Sequence, residues 1–294
     1  MAYSLPAIPF LRLGFTLRAR GAVRLPPFKG SMLRGAFGHA LRGSVCTMGP
    51  SQPCGTCRLR RVCVYTRLFE TFLEGEPPPL LKGVSEAPRP YVFEPQDERR
   101  DFAPGDPLDF DLVLIGQAME LEPYAVLAVE RMAAAGLGAD RAPFEMVRAE
   151  TVPAAPAPAG GLAEGRLTLR FLTPTRIKTG HELAASLDFR ALTFAMVRRV
   201  LEVAHCHVPG AEIDWTFRPL LERASAVRVT ASHLTWRDWE RYSNRQQRKM
   251  TLGGLVGTME VEGDLAPFAG LLRTAEVLHV GKGAVFGLGR VAVG

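Results

Sequence analysis

No stretch of this 294-residue chain approaches the roughly 18 consecutive apolar residues that a membrane-spanning helix requires, so no span is expected. The opening residues, MAYSLPAIPFLRLGF, lack the basic start and small-residue cleavage site of a secretory signal, and a cytoplasmic protein is expected. With no sign of an oxidising compartment, disulfides among the five cysteines are not expected either. Two nucleotide-binding motifs are also missing. Gly281-Lys282 is followed by Gly283 and Ala284, not by the Ser or Thr of a P-loop. A dinucleotide fingerprint needs a helix after its glycines, whereas Leu288 to Val293 reads as a short strand.

What is present is the composition of a globular protein, 47% hydrophobic and 22% charged, with length enough for two domains. Lys and Arg total 36 against 30 Asp and Glu, a net charge of +6 that favours a polyanionic partner. The clustering is more telling than the sum. RDWERYSNRQQRK, from Arg237 to Lys249, carries five basic residues against two acidic ones, interleaved with Trp239 and Tyr242. Arginine pairs with phosphates through a fork of donors and aromatic rings stack on unpaired bases, a combination suited to single-stranded RNA. A solvated amphipathic face has the same composition, so two readings stand.

Four of the cysteines, Cys46, Cys54, Cys57 and Cys63, fall in CTMGPSQPCGTCRLRRVC. Four thiolates satisfy a tetrahedral zinc, and Cys54-x-x-Cys57 has chelating spacing, so a small structural zinc knuckle is expected; an iron–sulfur cluster takes the same ligands. Cys206, between His205 and His207, stands apart and reads as a helix-end residue.

Thr151 to Gly165, TVPAAPAPAGGLAEG, is rich in Pro, Ala and Gly and reads as a linker between domains at residues 1–150 and 166–294. In the first half, alternation predicts strands at Pro9 to Arg20, Tyr91 to Glu94, Leu108 to Ile115 and Phe144 to Ala149. Helical spacing predicts helices at Lys29 to Leu41 and Leu121 to Ala135. The second half repeats the order, with strands at Gly165 to Leu172, Ser225 to Thr235, Leu255 to Glu262 and Leu288 to Val293, and helices at Leu187 to His205 and Leu265 to Val277. The predicted fold class is α+β: two tandem ferredoxin-like β-α-β-β-α-β domains, the first interrupted by the cysteine knuckle at 46–63.

LHVGKGAVFGLGR, from Leu278, places Gly281, Gly283, Gly287 and Gly289 within nine residues, next to Lys282. Glycines allow several N–H groups to face one anion, as for a phosphate; a flexible turn has the same composition. With FLTPTRIK from Phe171, LDFRAL from Leu187 and DWERYSNRQQRKMTLGGLVG from Asp238, this segment resembles the C-terminal half of the CRISPR-associated endoribonucleases that process precursor crRNA. These belong to the RAMP superfamily. In the first half the resemblance rests on LPPFKGSMLRGAFGHALRG, from Leu25 to Gly43.

The resemblance implies a nuclease that binds a CRISPR repeat and cuts it by 2′-hydroxyl attack, leaving a 2′,3′-cyclic phosphate and a 5′-hydroxyl, with no cofactor for catalysis. It further implies an RNA-backbone cradle at Gly281, Lys282, Gly283, Gly287 and Gly289, with Arg34, Arg241, Tyr242, Arg245 and Arg248 as further RNA contacts. Relatives often place a catalytic histidine near the first helix, which points to His39, with Lys29 as the charge beside the phosphorane. Imidazole can serve as base or acid near neutrality. His39 also reads as a packing residue, and His279 beside the glycine loop competes for the catalytic role or caps a helix. His181, His205, His207 and His233 are expected to be structural or surface residues. A non-catalytic RAMP subunit holding crRNA in an effector complex is the alternative function.

Overall fold

The computed structural model describes residues 3–82, 86–153, 165–180, 182–243 and 248–294. Contacts divide the chain into two compact units. One comprises Pro9–Ala154 with Cys206–Pro209; the other comprises Met1–Ile8, Ala155–His205 and Gly210–Gly294. The first eight residues thus belong with the C-terminal half, where the Tyr3 hydroxyl donates to the Asp214 carbonyl at 2.5 Å. Most of the proline- and alanine-rich stretch, residues 154–164, lies outside the described residues.

The N-terminal unit runs β1 (Phe10–Ala19), α1 (Gly30–Val45), α2 (Val64–Leu68), β2 (Tyr91–Pro95), β3 (Pro107–Ile115), α3 (Glu122–Ala135) and β4 (Phe144–Thr151). Its sheet is antiparallel, in the order β2-β3-β1-β4. Alternation along β1 sends Leu13, Phe15, Leu17 and Ala19 to one buried face, opposite Leu112, Phe110 and Leu108 of β3. The Phe15 and Phe110 rings stack at 5.4 Å. In α1, Leu33, Phe37 and Leu41 recur every four residues and are fully buried, so this face sits in the core.

Helix α2 was not foreseen, and it brings Phe69 into an aromatic cluster. The Phe69 ring lies 5.2 Å from Tyr65, 6.2 Å from Tyr91 and 6.4 Å from Phe37. A Cβ at Gly38 would sit 2.2 Å from the tip of that ring, which these neighbours prevent from moving aside. Gly38→Ala is therefore expected to destabilise the protein by about 1–3 kcal/mol, the usual cost of overpacking, read as a lower denaturation midpoint. An unchanged midpoint refutes this.

The C-terminal unit runs β5 (Arg166–Thr175), α4 (Phe189–His207), α5 (Arg218–Ser225), β6 (Arg228–Arg237), β7 (Glu240–Ser243), β8 (Arg248–Thr251), β9 (Gly254–Glu262), α6 (Ala269–Leu278) and β10 (Val291–Val293). Its antiparallel sheet has the order β6-β9-β5-β10. Counting the four sheet strands of each unit in chain order, both sheets read 2-3-1-4. Leu167, Leu169 and Phe171 of β5 and Met259 and Val261 of β9 are buried. Helix α5 also went unforeseen; Pro219 opens it, and Leu220, Leu221 and Ala224 bury its short apolar face. Within the basic stretch after Arg237, β7 and β8 pair antiparallel, Arg241↔Met250, Tyr242↔Lys249 and Ser243↔Arg248.

Candidate functional site

The glycine loop is not a flexible turn. Gly281, Gly283, Gly287 and Gly289 all hold left-handed φ angles of 71 to 87°, a region that side chains other than glycine rarely adopt. The loop is laced to the end of β5. Lys282 N–H donates to the Arg176 carbonyl at 2.9 Å, Gly289 N–H to the Pro174 carbonyl at 3.1 Å, and the Thr173 hydroxyl to the Gly287 carbonyl at 2.8 Å. A Cβ at Gly281 would lie 2.5 Å from the Arg176 carbonyl oxygen, so the two backbones meet too closely for any side chain there.

This changes how the loop would serve an anion. The N–H groups of Val280, Lys282, Phe286, Gly287 and Gly289 are all used by protein carbonyls. The expectation that Gly287 and Gly289 offer N–H donors to a phosphate is therefore corrected: these glycines shape the loop, and side chains carry the charge.

Those side chains are gathered from distant parts of the sequence. Lys282, exposed at the loop tip, has Lys178 within hydrogen-bonding reach and feels the charges of Arg176 and Arg198. Arg198 is paired with Glu202 at 2.6 Å. Among the described residues no ion pair involves Arg176, Lys178 or Lys282. Partial burial, then the like charges of Lys178, Arg176 and Arg198, lower the Lys282 pKa; burial alone lowers that of Arg176. Like charges held together without counter-ions are relieved by a polyanion. Arg176, Lys178 and Arg198 were not among the site residues expected from the sequence, although TRIK from Thr175 contains the first two.

The aromatic and basic arm starts at the end of β6. Trp236 is 44% exposed and its Nε1–H donates to the Asp238 carboxylate at 2.8 Å, while the Arg237 guanidinium lies 5.3 Å from the Trp239 ring centroid. Arg241, Tyr242 and Arg248 lie on the β7–β8 backbone ladder. Arg245 and His181 lie outside the described residues.

In the N-terminal unit, α1 turns His39 to solvent. It lies on the stripe Gly35, His39, Gly43, offset from the buried Leu33, Phe37, Leu41 face, and a Cβ at either glycine would meet nothing within 4 Å. The packing reading of His39 does not hold, because the ring is exposed. Lys29, at the N-cap of α1, is the reverse case. Its side chain is wholly buried, and its ammonium donates to the Asp97 carboxylate at 3.0 Å, the Asp97 carbonyl at 3.1 Å and the Arg99 carbonyl at 2.6 Å. Burial lowers its pKa, opposed by Asp97. All three donors are used, so the expectation that Lys29 stabilises a phosphorane is corrected: it anchors the 97–99 loop to the start of α1. The Arg34 guanidinium lies 4.4 Å from the Phe69 ring centroid, against the aromatic cluster.

His279 is fully buried, with Nδ1 3.1 Å from the Leu288 carbonyl oxygen, which places it among structural residues. Its backbone sits at φ 58°, ψ 162°, a conformation nearly confined to glycine and costing about 1–3 kcal/mol. His279→Gly is therefore expected to melt above His279→Ala by about 1 kcal/mol or more, reversing the usual order of the two residues. Equal or reversed midpoints would remove the strain argument. Of the other histidines, His207 is buried, His233 is exposed on β6, and His205 packs edge-on against Trp215 with ring centres 6.0 Å apart.

The four clustered cysteines and Cys206 are half-buried, and none of them is in a disulfide. Among the described residues, no three His, Cys, Asp or Glu side chains stand together at metal-ligand spacing.

Residues 169–291 match the family model of the CRISPR-associated endoribonuclease Cas6, and residues 8–162 match the model AF_1859_N, described as an N-terminal domain. No curated protein matches. Among solved structures, a product complex of the Cas6 TTHB231 aligns with a TM-score of 0.60 at 16% identity, covering 97% of this chain and all of that one. The Thermus thermophilus Cas6 TTHB231 aligns with a TM-score of 0.55 at 14% identity, over 98% of this chain and 99% of that one. A product complex of the Cas6 TTHA0078 gives 0.53 at 17% identity, over 98% and 100%. At such identities the likeness to these structures is one of fold.

Proposed function

Since the chain belongs to the CRISPR-associated endoribonucleases of the RAMP superfamily that process precursor crRNA, we propose that its two units act as tandem ferredoxin-like domains that bind a CRISPR repeat RNA and cut it once through a ribose 2′-hydroxyl. The attacking oxygen is already part of the substrate, so the step requires no activated water and no catalytic metal ion. The 2′-oxygen bonds to the adjacent phosphorus while the 5′-oxygen leaves, giving a 2′,3′-cyclic phosphate and a 5′-hydroxyl. One proton must leave the 2′-oxygen and one must reach the 5′-oxygen, and the pentacoordinate phosphorane carries extra negative charge between them.

The observation that carries this reading is the group of cations Arg176, Lys178 and Lys282, gathered where the braced glycine loop meets the end of β5 within the Cas6-matching residues, with no ion pair to any of them among the described residues. It suits a phosphodiester backbone, with Arg241, Tyr242, Arg245 and Arg248 extending the contact along the strand. His39 is the proton-transfer residue of this proposal: it is exposed, and the helix turns on either side of it carry only glycine on that stripe. Lys29 and the Arg34–Phe69 contact position α1.

The test is cleavage of a repeat RNA in EDTA, with and without a deoxyribose at the scissile position. The all-ribose RNA alone is expected to be cut, with a cyclic phosphate on its upstream fragment. Tight binding without cutting would favour the non-catalytic RAMP subunit, and cutting of the deoxy-substituted RNA would exclude 2′-hydroxyl attack.

A further inference from the structure

We propose that Cys46, Cys54, Cys57 and Cys63 together hold one zinc ion that joins the end of α1 to the start of α2. The four thiols line a single pocket of about 350 Å³. Cys46 is the C-cap of α1 and Cys63 the N-cap of α2, so the outer two ligands are the residues at which these helices stop and start. Between them the chain makes a short 3-10 turn over Cys54–Thr56 and hydrogen-bonded turns from Cys57 to Cys63.

The segment has no hydrophobic core of its own. No residue from Cys46 to Cys63 is buried, and Val62 is 72% exposed. A stretch without a hydrophobic core does not repay the entropy of ordering its backbone, and a metal cross-link is the usual substitute. Hydrogen bonds from the Arg42 guanidinium to the Pro50 and Gln52 carbonyls brace one side of the loop. The same guanidinium interacts with both Cys46 and Cys54. A zinc tetrathiolate carries two net negative charges, and the Arg42 guanidinium offsets part of that charge.

In a tetrahedral site with Zn–S bonds of about 2.3 Å the sulfurs stand about 3.8 Å apart, so the ion draws the thiols closer than they stand in this structure. The Cys54-x-x-Cys57 turn supplies the chelating pair. Zinc is assigned over an iron–sulfur cluster because the proposed RNA cleavage involves no electron transfer. The ion also bears on α1 at a distance. Phe69, directly after α2, fills the notch at Gly38 one residue from His39, so fixing α2 at Cys63 fixes the packing beneath that histidine.

The experiment uses the full chain purified without chelator, its metal content read by mass spectrometry of the elements and its free thiols counted before and after zinc removal. One zinc per chain is expected, with four thiols becoming reactive only after removal. Cys57→Ser and Cys54→Ser are expected to lose the zinc, and Cys206→Ser to retain it. If the first two variants fail to fold, the wild-type thiol count decides. Iron in place of zinc, disulfides in the intact mass, or five thiols reacting equally before metal removal would each overturn the proposal. Because the readout is metal and thiol content, its failure is separate from any failure of RNA cleavage.

Discussion

Replacing His39 by alanine is expected to slow single-turnover cleavage of the repeat RNA by about 10²- to 10⁴-fold, the range for loss of a positioned acid or base, with little change in repeat affinity. The expectation rests on exposure. His39 is turned to solvent on the face of α1 opposite Leu33, Phe37 and Leu41, so its removal leaves no cavity and the thermal midpoint should stay within about 0.5 kcal/mol of wild type. A stable protein with slow chemistry is thus the predicted outcome, and a stable protein with wild-type chemistry would end the assignment. His279→Ala separates the two histidines. It removes a fully buried ring, so its midpoint should fall while the folded fraction cleaves at the wild-type rate. A slow, stable His279→Ala protein would move the catalytic role to the glycine loop.

The second large effect concerns Lys178 and Lys282. Replacing both by alanine is expected to weaken repeat binding about 100-fold, taking each charged hydrogen bond to phosphate at about 1.5 kcal/mol, the low end of its range for exposed groups. If each lysine neutralises one phosphate of a single strand, the slope of log affinity against log salt becomes shallower by about 1.4 for the pair. The double variant should not melt below wild type, because it removes a like-charge repulsion and no ion pair involving either residue occurs among those described. The pH dependence has a definite sign. Lys282 titrates below the ordinary lysine value of 10.5, and phosphate binding favours its charged form, so affinity is full at pH values well below the lowered pKa. It falls as pH rises through that pKa, sooner than for an ordinary lysine, and Lys282→Arg should remove the alkaline loss. Unchanged affinity and salt slope in the double variant would relocate the RNA site.

Much of this was legible in the residues. Alternation along Phe10–Ala19 and Arg166–Thr175 and the four-residue spacing of Leu33, Phe37 and Leu41 are local signals, and local backbone geometry turns them directly into strands and helices. The same spacing puts His39, two positions from Phe37, on the other side of α1, a signal in the residues that agrees with its exposure in the structure. The unforeseen helices, Val64–Leu68 and Arg218–Ser225, are five and eight residues long, too short for periodicity to stand out.

The amino-acid sequence by itself determined the repeated element order, the basic character, the four-cysteine segment and the clustering of four glycines around Lys282. Which side chains share a site was decided by the tertiary structure. Lys282 meets Arg176 and Lys178 across about 100 residues because the loop after α6 is bonded to the end of β5, and that depends on strand order. Lys29 and Lys282 are the same residue type, each beside a glycine. One is enclosed by the 97–99 loop with every donor used, and the other stands exposed among like charges. Burial and partner charge set what a lysine can do, and both come from chain segments far from it in sequence.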